Sequence, residues 1–306
     1  MPKPPSHSFF LFIGWLLMAA IVGLAWLMLS HGNPPSDEEL ADKPNRLTVL
    51  TWNTNAMSRH AKPQKNEVLR YLMAQDADVV CLQEVDVYKS NQFLTLQEVK
   101  DIMRTKYRYS YLDFSVYNKW RQFGTMVWSK YPLVNKQSIH YATRGNLSNR
   151  CDIVVGADTI RLFNNHLESY MFTAQDIAEA ETQRNYGGVR SSAKKLEAKW
   201  RRARPLRREQ ARIVRREIDA SPYPVIVVGD FNSTPASYTY LTLSRGLNDA
   251  WAQTSWGRWG TTCTKRNIGL HIDYILSSKS LIPVSCTIQK EATGSDHRPV
   301  VATLAW

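Results

Sequence analysis

Cysteine is scarce in this chain, with four in 306 residues, and none of the four has metal-ligand spacing. Cys81 sits inside the apolar run DVVCLQ, while Cys151, Cys263 and Cys286 are scattered. That pattern excludes a zinc framework and a small disulfide-stapled scaffold. A single Cys263–Cys286 pair stays open, since four cysteines allow three connectivities. Glycine and proline are also sparse, at 14 each, and there is no internal repeat or low-complexity tract. A hydrophobic content of 43% with 22% charged residues excludes disordered and collagen-like chains.

Long hydrophobic runs are equally rare, with one exception. Phe9 to Leu29 (FFLFIGWLLMAAIVGLAWLML) carries no charge over 21 residues. At ~1.5 Å per residue such a helix spans roughly 30 Å, the hydrocarbon thickness of a bilayer. A cleaved signal peptide is the competing reading, supported by the small-x-small triplet Ser30-His31-Gly32. The run exceeds the ~7–15 apolar residues of a signal peptide, however, so residues 9–29 are expected to be an uncleaved single-pass anchor. Lys3 before the run is balanced by Lys43 and Arg46 after it, which leaves the positive-inside rule nearly silent. The large domain is expected on the extracytoplasmic side. Residues 30–45, rich in Pro, Asp and Glu, read as a tether, and residues 46–306 as one catalytic-sized domain.

The net charge of +12 invites a nucleic-acid reading until its distribution is examined. Between Arg184 and Arg216 lie thirteen Lys and Arg against only Glu197 and Glu209, so one segment holds nearly all of the excess. Ala, Leu, Lys, Arg and Glu dominate it, predicting a basic helix over 190–216 with a break or kink at Pro205. Such a helix is a solvated cationic face, or a contact for a polyanion or acidic lipid.

Elsewhere the pattern alternates between strand and helix. RLTVLTWN reads as a strand ending at Asn53, Lys65–Gln75 as a helix, and DADVVCLQE as a strand closing on Glu84. Leu96–Met103 is helical, and FGTMVWSK, PLVNKQSIHY, CDIVVGAD and TIRLFNNHLE are β-rich. After the basic helix come PVIVVGDFN, LHIDYILSS, PVSCTIQ and PVVATLAW. Strands outnumber helices, predicting an α/β layered sandwich. Polar residues close these strands: Asn53, Glu84, His166, Asp230 with Asn232, Asp273, and Asp296 with His297. Rigid strand ends are where catalytic groups gather. Singly, each residue has an ordinary alternative as a cap, a turn or a solvated terminus.

Together they resemble a known family. Trp52-Asn53, LQE (82–84), HLE (166–168), GDFN (229–232), IDYIL (272–276) and SDHRPV (295–300) occur in the order seen in the endonuclease/exonuclease/phosphatase superfamily. That group includes deoxyribonuclease I, abasic-site endonucleases, neutral sphingomyelinases and inositol-polyphosphate phosphatases. The resemblance covers essentially all of residues 46–306. It implies a four-layer α/β/β/α sandwich, two mixed β-sheets packed face to face with helices outside, and hydrolysis of a phosphoric ester.

The resemblance also implies roles. Glu84 matches the principal metal ligand and Asp296 a carboxylate close to the same site, for Mg²⁺ with Mn²⁺ as the alternative. A hard divalent ion suits carboxylate oxygen and phosphoryl charge. His297 matches the catalytic histidine and Asp273 its carboxylate partner, while Asp230 matches the residue that activates or orients water. His166 matches a second phosphate-side histidine, and Asn53 and Asn232 neutral donors near metal or phosphate. The general base is left open between Asp230 and His297. Asn55 departs from the Asp that some nucleases of the family carry there, which weakens a second metal site. STPAS after GDFN disfavours the inositol 5-phosphatase branch. Nucleic acid and a lipid phosphodiester (sphingomyelinase-like) both stand as substrates. Trp251, Trp256 and Trp259 are candidates for stacking or membrane contact. A non-catalytic membrane-associated binding module is the reading from another class, disfavoured because every motif position keeps a residue able to do chemistry.

Overall fold

A computed structural model describes residues 32, 34–57, 62–90, 92–143, 145–170, 186–255, 260–264 and 269–306, with the side chains of 186–194, 196 and 200 left aside. The expected anchor at 9–29, and Trp256 and Trp259, lie outside the described residues. Among the described residues no helix is long and apolar enough to cross a membrane.

Two mixed six-stranded sheets form the frame. The first contains β1 (Arg46–Asn53), β2 (Val79–Tyr88), β3 (Tyr109–Tyr117), β4 (Arg121–Ser129), β11 (Ile282–Ile288) and β12 (Val300–Ala305), in the order β11-β12-β1-β2-β4-β3. The second contains β5 (Leu133–His140), β6 (Leu147–Val155), β7 (Asp158–His166), β8 (Val225–Asp230), β9 (Leu247–Asp249) and β10 (Asp273–Ser278), in the order β5-β6-β7-β8-β10-β9.

The two-residue period of each strand divides its side chains between two cores. Leu47, Val49, Val79, Cys81 and Val127 meet Leu162, Ile226, Val228 and Ile275 between the sheets. The alternate residues Leu50, Trp52, Val80 and Leu82 pack outward against α2 (Glu67–Ala74) and α3 (Leu96–Met103). On the other side Phe163, Val225 and Val227 pack against α4 (Tyr186–Asp219) and α5 (Tyr238–Ser244). The four-layer sandwich implied by the resemblance is thus the observed fold. Two short helices, α1 (Asp37–Leu40) and α6 (Ala250–Thr254), complete the described elements. None of the four cysteines forms a disulfide, so the Cys263–Cys286 pair left open by the sequence is not made, and all four are buried.

Three expectations need correction. Of the break or kink expected at Pro205, the break does not occur, since the basic helix is continuous through it. A mid-helix proline costs ~3 kcal/mol, offset here by the burial of Ala211, Val214 and Ile218 of the same helix against the second sheet. Strand β2 does not close on Glu84 but continues to Tyr88 past a bulge between Leu82 and Val85. Strand β3 was not foreseen: YSYLDFSVY is half-buried along nearly its whole length, so it lacks the apolar alternation that marks a strand.

Candidate active site

Parallel pairing brings the chemistry to one end of the sandwich. β1 runs parallel to β2, with Asn53 opposite Gln83, and β7 runs parallel to β8, with His166 opposite Asp230. β10 returns antiparallel and sets Asp273 opposite Asp230. The C-terminal ends of β1, β7 and β8 and the bulge of β2 therefore converge with the start of β10.

Two backbone features make that convergence possible. Glu84 adopts φ +50°, an unusual conformation for a side-chain-bearing residue, at the β2 bulge. Its carbonyl accepts from Ala56 N–H at 3.0 Å and Thr54 Oγ1 at 3.2 Å, which hold the turned-out conformation. Gly229 adopts φ +122°, and a Cβ there would lie 2.0 Å from the Asn165 carbonyl oxygen. Only glycine lets β8 approach β7 so closely before delivering Asp230.

Around Asp230 the side chains interlock. Asn53 Nδ2 donates to Glu84 Oε1 at 3.0 Å and to Asp230 Oδ2 at 2.9 Å, bridging the two carboxylates. Asn232, at φ +49°, donates its backbone N–H to Asp230 Oδ1 at 2.7 Å and its amide to Asp230 Oδ2 and the Leu167 carbonyl. His297 Nδ1 lies 2.9 Å from Asp273 Oδ2, and its Nε2 lies 3.9 Å from Asp230 Oδ2. His166 Nε2 stands 3.3 Å from Glu84 Oε1, an ion-pair distance whose geometry stops short of a well-formed hydrogen bond.

Asp230, Asp273, His166 and His297 are buried, whereas Glu84 is 28% exposed and opens the cluster to solvent. Burial pushes the Glu84 carboxyl up, but His166, Asn53 and His297 together hold it down at about 2. Asp230 is pushed up to about 6 by burial and by Asp273, against the pull of His297, His166 and Asn53. For His297 burial opposes the proton, yet Asp273 and Asp230 outweigh it and raise the imidazole well above its ordinary value. His166 is raised in the same way by Glu84 and Asp230.

Every site residue expected from sequence except Asp296 stands within this interlocked cluster. Two trios place their ligand atoms within 4.8 Å of one another: Glu84 with His166 and Asp230, and Asp230 with Asp273 and His297. Asp296 belongs to neither trio; it is the residue before His297, and its carbonyl accepts from Thr264 N–H at 2.8 Å. Oxygen-rich donors meeting at a half-open carboxylate fit a hard divalent cation.

Other residues do work that motif reading missed. Ser295 Oγ donates to the Asn53 carbonyl at 2.7 Å and accepts from His297 N–H at 3.0 Å, tying the histidine loop to β1. Thr262 Oγ1 accepts from the backbone N–H groups of Ile272 and Asp273. Ser295 lay inside the quoted SDHRPV motif, but Thr262 sits in a stretch without any signal. On α4, Arg207 Nη1 donates to the Glu168 carbonyl and Gln210 Oε1 accepts from Glu168 N–H at 2.7 Å. Two positions of the basic helix thus brace the chain just beyond His166.

A sequence profile described as the Endonuclease/Exonuclease/phosphatase family matches residues 50–297. A comparison with curated proteins finds no match. Among solved structures, truncated Caenorhabditis elegans TDP2 is 22% identical, covering 86% of this chain and 99% of its own at a TM-score of 0.59. Sphingomyelinase C from Streptomyces griseocarneus is 18% identical, with 85% and 99% covered and a TM-score of 0.54. An endonuclease/exonuclease/phosphatase from Beutenbergia cavernae is 19% identical, with 85% and 71% covered and a TM-score of 0.59.

Proposed function

Because the chain belongs to the endonuclease/exonuclease/phosphatase family, whose members hydrolyse phosphoester bonds, we propose that it is a membrane-anchored, Mg²⁺-dependent phosphodiesterase. The observation that carries this reading is the surplus of carboxylate: half-open Glu84 and buried Asp230 and Asp273 gathered against two histidines. Glu84, the solvent-open carboxylate, is the residue that would hold the ion, with His166 and Asp230 within 4.8 Å of it and Asp296 next in the chain to His297. When bound, the ion neutralises charge on the phosphoryl oxygens and lowers the pKa of a coordinated water.

The protein groups divide the remaining work. Asp273 fixes the orientation of His297 through Nδ1 and keeps its Nε2 directed toward Asp230. Asp230, fixed by Asn53 and Asn232 and with its Oδ2 3.9 Å from His297 Nε2, is placed to take a proton from the attacking water. His297, held cationic by its two carboxylates, offers positive charge to the phosphoryl group. His166 is placed to do the same from the other side and to assist the leaving oxygen. Asn53 and Asn232 spend their amide N–H groups on Asp230 and Glu84, so their contribution is to hold those carboxylates in register.

Hydrolysis of bis-p-nitrophenyl phosphate by the full chain, with Mg²⁺ and with chelator, tests the reading. Mg²⁺-dependent turnover is expected, and Glu84→Gln should lose about 10³-fold or more, together with Mg²⁺ binding by calorimetry. Full activity with chelator, or in Glu84→Gln, would overturn it. Plasmid DNA and sphingomyelin vesicles assayed in parallel distinguish the two substrate classes.

A further inference from the structure

The end of the sandwich that holds the site also carries three features that the chemistry does not use. The first is the β3–β4 hairpin. Tyr88 pairs with Arg121, so the turn Asn118–Trp120 stands beyond the fourth residue after Glu84, about 13 Å past it at ~3.3 Å per residue. This turn is firmly built: Asn118 Oδ1 accepts from Trp120 N–H at 2.8 Å and Arg121 N–H at 3.0 Å, and Lys89 N–H donates to the Trp120 carbonyl. It nevertheless presents Tyr117 at 68% and Trp120 at 67% exposure, with Phe93 at 42% alongside. Lys89 lies over the Tyr117 ring and Lys119 over the Trp120 ring, each 4.8 Å from the centroid.

The second feature is the first half of α4. This helix hands over to β8 at Val225, the end away from Asp230, while Arg207 is bonded at the site end. Residues before Ala203 therefore project past the site by about 25 Å at ~1.5 Å per residue. Lys195, Arg201 and Arg202 are exposed on that stretch, where Glu197 pairs with Arg201, and Arg204 is exposed just after Ala203.

The third is the point where the chain enters the domain. Gly32 N–H donates to the Ala252 carbonyl at 2.7 Å, on α6. Trp251 of the same helix faces His271, two residues before Asp273, so the entry point is also at the site end. Gly32 follows the uncharged run 9–29 by only three residues, a reach of about 11 Å at most.

We propose that the site end of the sandwich is a bilayer-docking face. Tyr117, Trp120 and Phe93 seat at headgroup depth, and the projecting half of α4 lies along anionic phospholipid. Aromatic rings flanked by lysines suit the membrane interface, where rings sit among headgroups and ammonium groups reach phosphate. A line of exposed Lys and Arg suits acidic lipid. The chain entry decides between a bilayer and a nucleic acid, since only a bilayer also accounts for an apolar run that stops in the sequence three residues before Gly32. The choice of partner rests on the membrane placement proposed above, but not on the catalytic assignment.

An environment-sensitive thiol dye on the full-length protein tests the proposal, because the four native cysteines are buried. Dye at Trp120→Cys should shift to the blue and brighten in phosphatidylcholine vesicles containing phosphatidylserine. Dye at Ser280→Cys, at the opposite end, should not respond. Combining Arg201→Gln, Arg202→Gln and Arg204→Gln should lessen the response in serine-containing vesicles and leave it unchanged in pure phosphatidylcholine. An unresponsive Trp120→Cys dye, or one that responds to a DNA oligonucleotide and not to vesicles, overturns the docking face. Turnover of bis-p-nitrophenyl phosphate by the same labelled protein keeps the two readings apart: loss of turnover with the shift intact sinks the catalytic assignment alone.

Discussion

Strand β7 carries a buried charge at each end, and the two ends are built on opposite terms. Near its start, Arg161 Nε and Nη2 donate to Asp152 Oδ1 and Oδ2 at 2.7 and 3.0 Å, and Asn135 supplies a further donor at 2.8 Å. One cation meets one anion, every carboxylate oxygen is engaged, and Tyr223 lies against the guanidinium. Five residues later, His166 joins a cluster in which three carboxylates are met directly by two titratable imidazoles, with the Arg207 guanidinium acting on Asp230 from α4. A closed pair is a structural device, whereas buried negative charge in excess of its fixed counter-charge needs a cation or a proton to complete it.

That contrast is tested most severely at Asp273. Asp273→Asn keeps the shape of the side chain but removes the charge that orients His297 and raises its proton affinity. A fall in kcat of about 10²–10⁴ is expected, with a thermal midpoint equal to or above that of the parent. Retained turnover would mean that the cluster is as structural as the far pair.

The next effect in size belongs to the far end. Arg161→Ala strands Asp152 in the interior, at a cost of about 3–5 kcal/mol, read by urea unfolding. Turnover per folded molecule should stay at the parent level. A variant that loses activity without losing stability would erase the division between the two ends.

How much of this division can be read from the chain alone differs between its halves. The site end was legible because its residues close apolar strands: Asn53, Glu84, His166, Asp230 and Asp273 each follow or lead a run whose packing fixes them, and the order of the motifs supplied the rest. The pair Asp152–Arg161 was not legible, because its partners sit on neighbouring strands and only the β6–β7 register brings them face to face. The bulge that turns Glu84 outward left no mark in LQEVDVY either, since φ +50° at a glutamate arises from the Thr54 and Ala56 contacts. Asn53 and Asn232 were legible as site residues, but their donors are directed at carboxylates, a matter of angle that spacing does not encode.

A smaller effect follows from pH, with opposite sign at the two ends. Asp230 is raised in the folded state, from 3.8 to about 6. Its contribution to the stability of the metal-free protein is complete below about pH 4 and lost as pH rises through about 6. For Asp152 burial pushes the carboxyl up, but Arg161 and Asn135 outweigh it and hold it below its ordinary value. Its contribution is present above the usual carboxylate range and lost as pH falls through the lowered value. In chelator, Asp230→Asn should flatten the decline between about pH 4 and 7 by about 2–3 kcal/mol. Asp152→Asn should instead remove part of the acid limb. Mg²⁺ should stabilise the parent more at pH 8 than at pH 5, because a cation at Glu84 offsets the charge of the ionised Asp230 beside it. Unchanged slopes in both variants would break the comparison.

The smallest effect sharpens the comparison within one helix. Helix α4 presents exposed arginines along one side and, on the other, a buried stripe of Ala203, Arg207, Gln210, Ala211, Val214 and Ile218. Arg207 is an arginine in composition but not in function: burial pushes its guanidinium down, its ring neighbour Tyr170 lies 4.1 Å away, and it holds the Glu168 carbonyl. Gln210 completes the brace by holding Glu168 N–H and reaching Thr143. Arg207→Lys keeps the charge but loses the planar fork and the stack. The segment after His166 is then held less firmly, and a loss in kcat of about tenfold is expected, as for groups that orient a site residue, with KM for the small diester unchanged. Arg201→Gln on the exposed side should leave turnover of the same diester intact. Equal losses in both variants would show that charge alone is what α4 supplies, whereas a loss confined to Arg207→Lys assigns the helix two separate duties on its two faces.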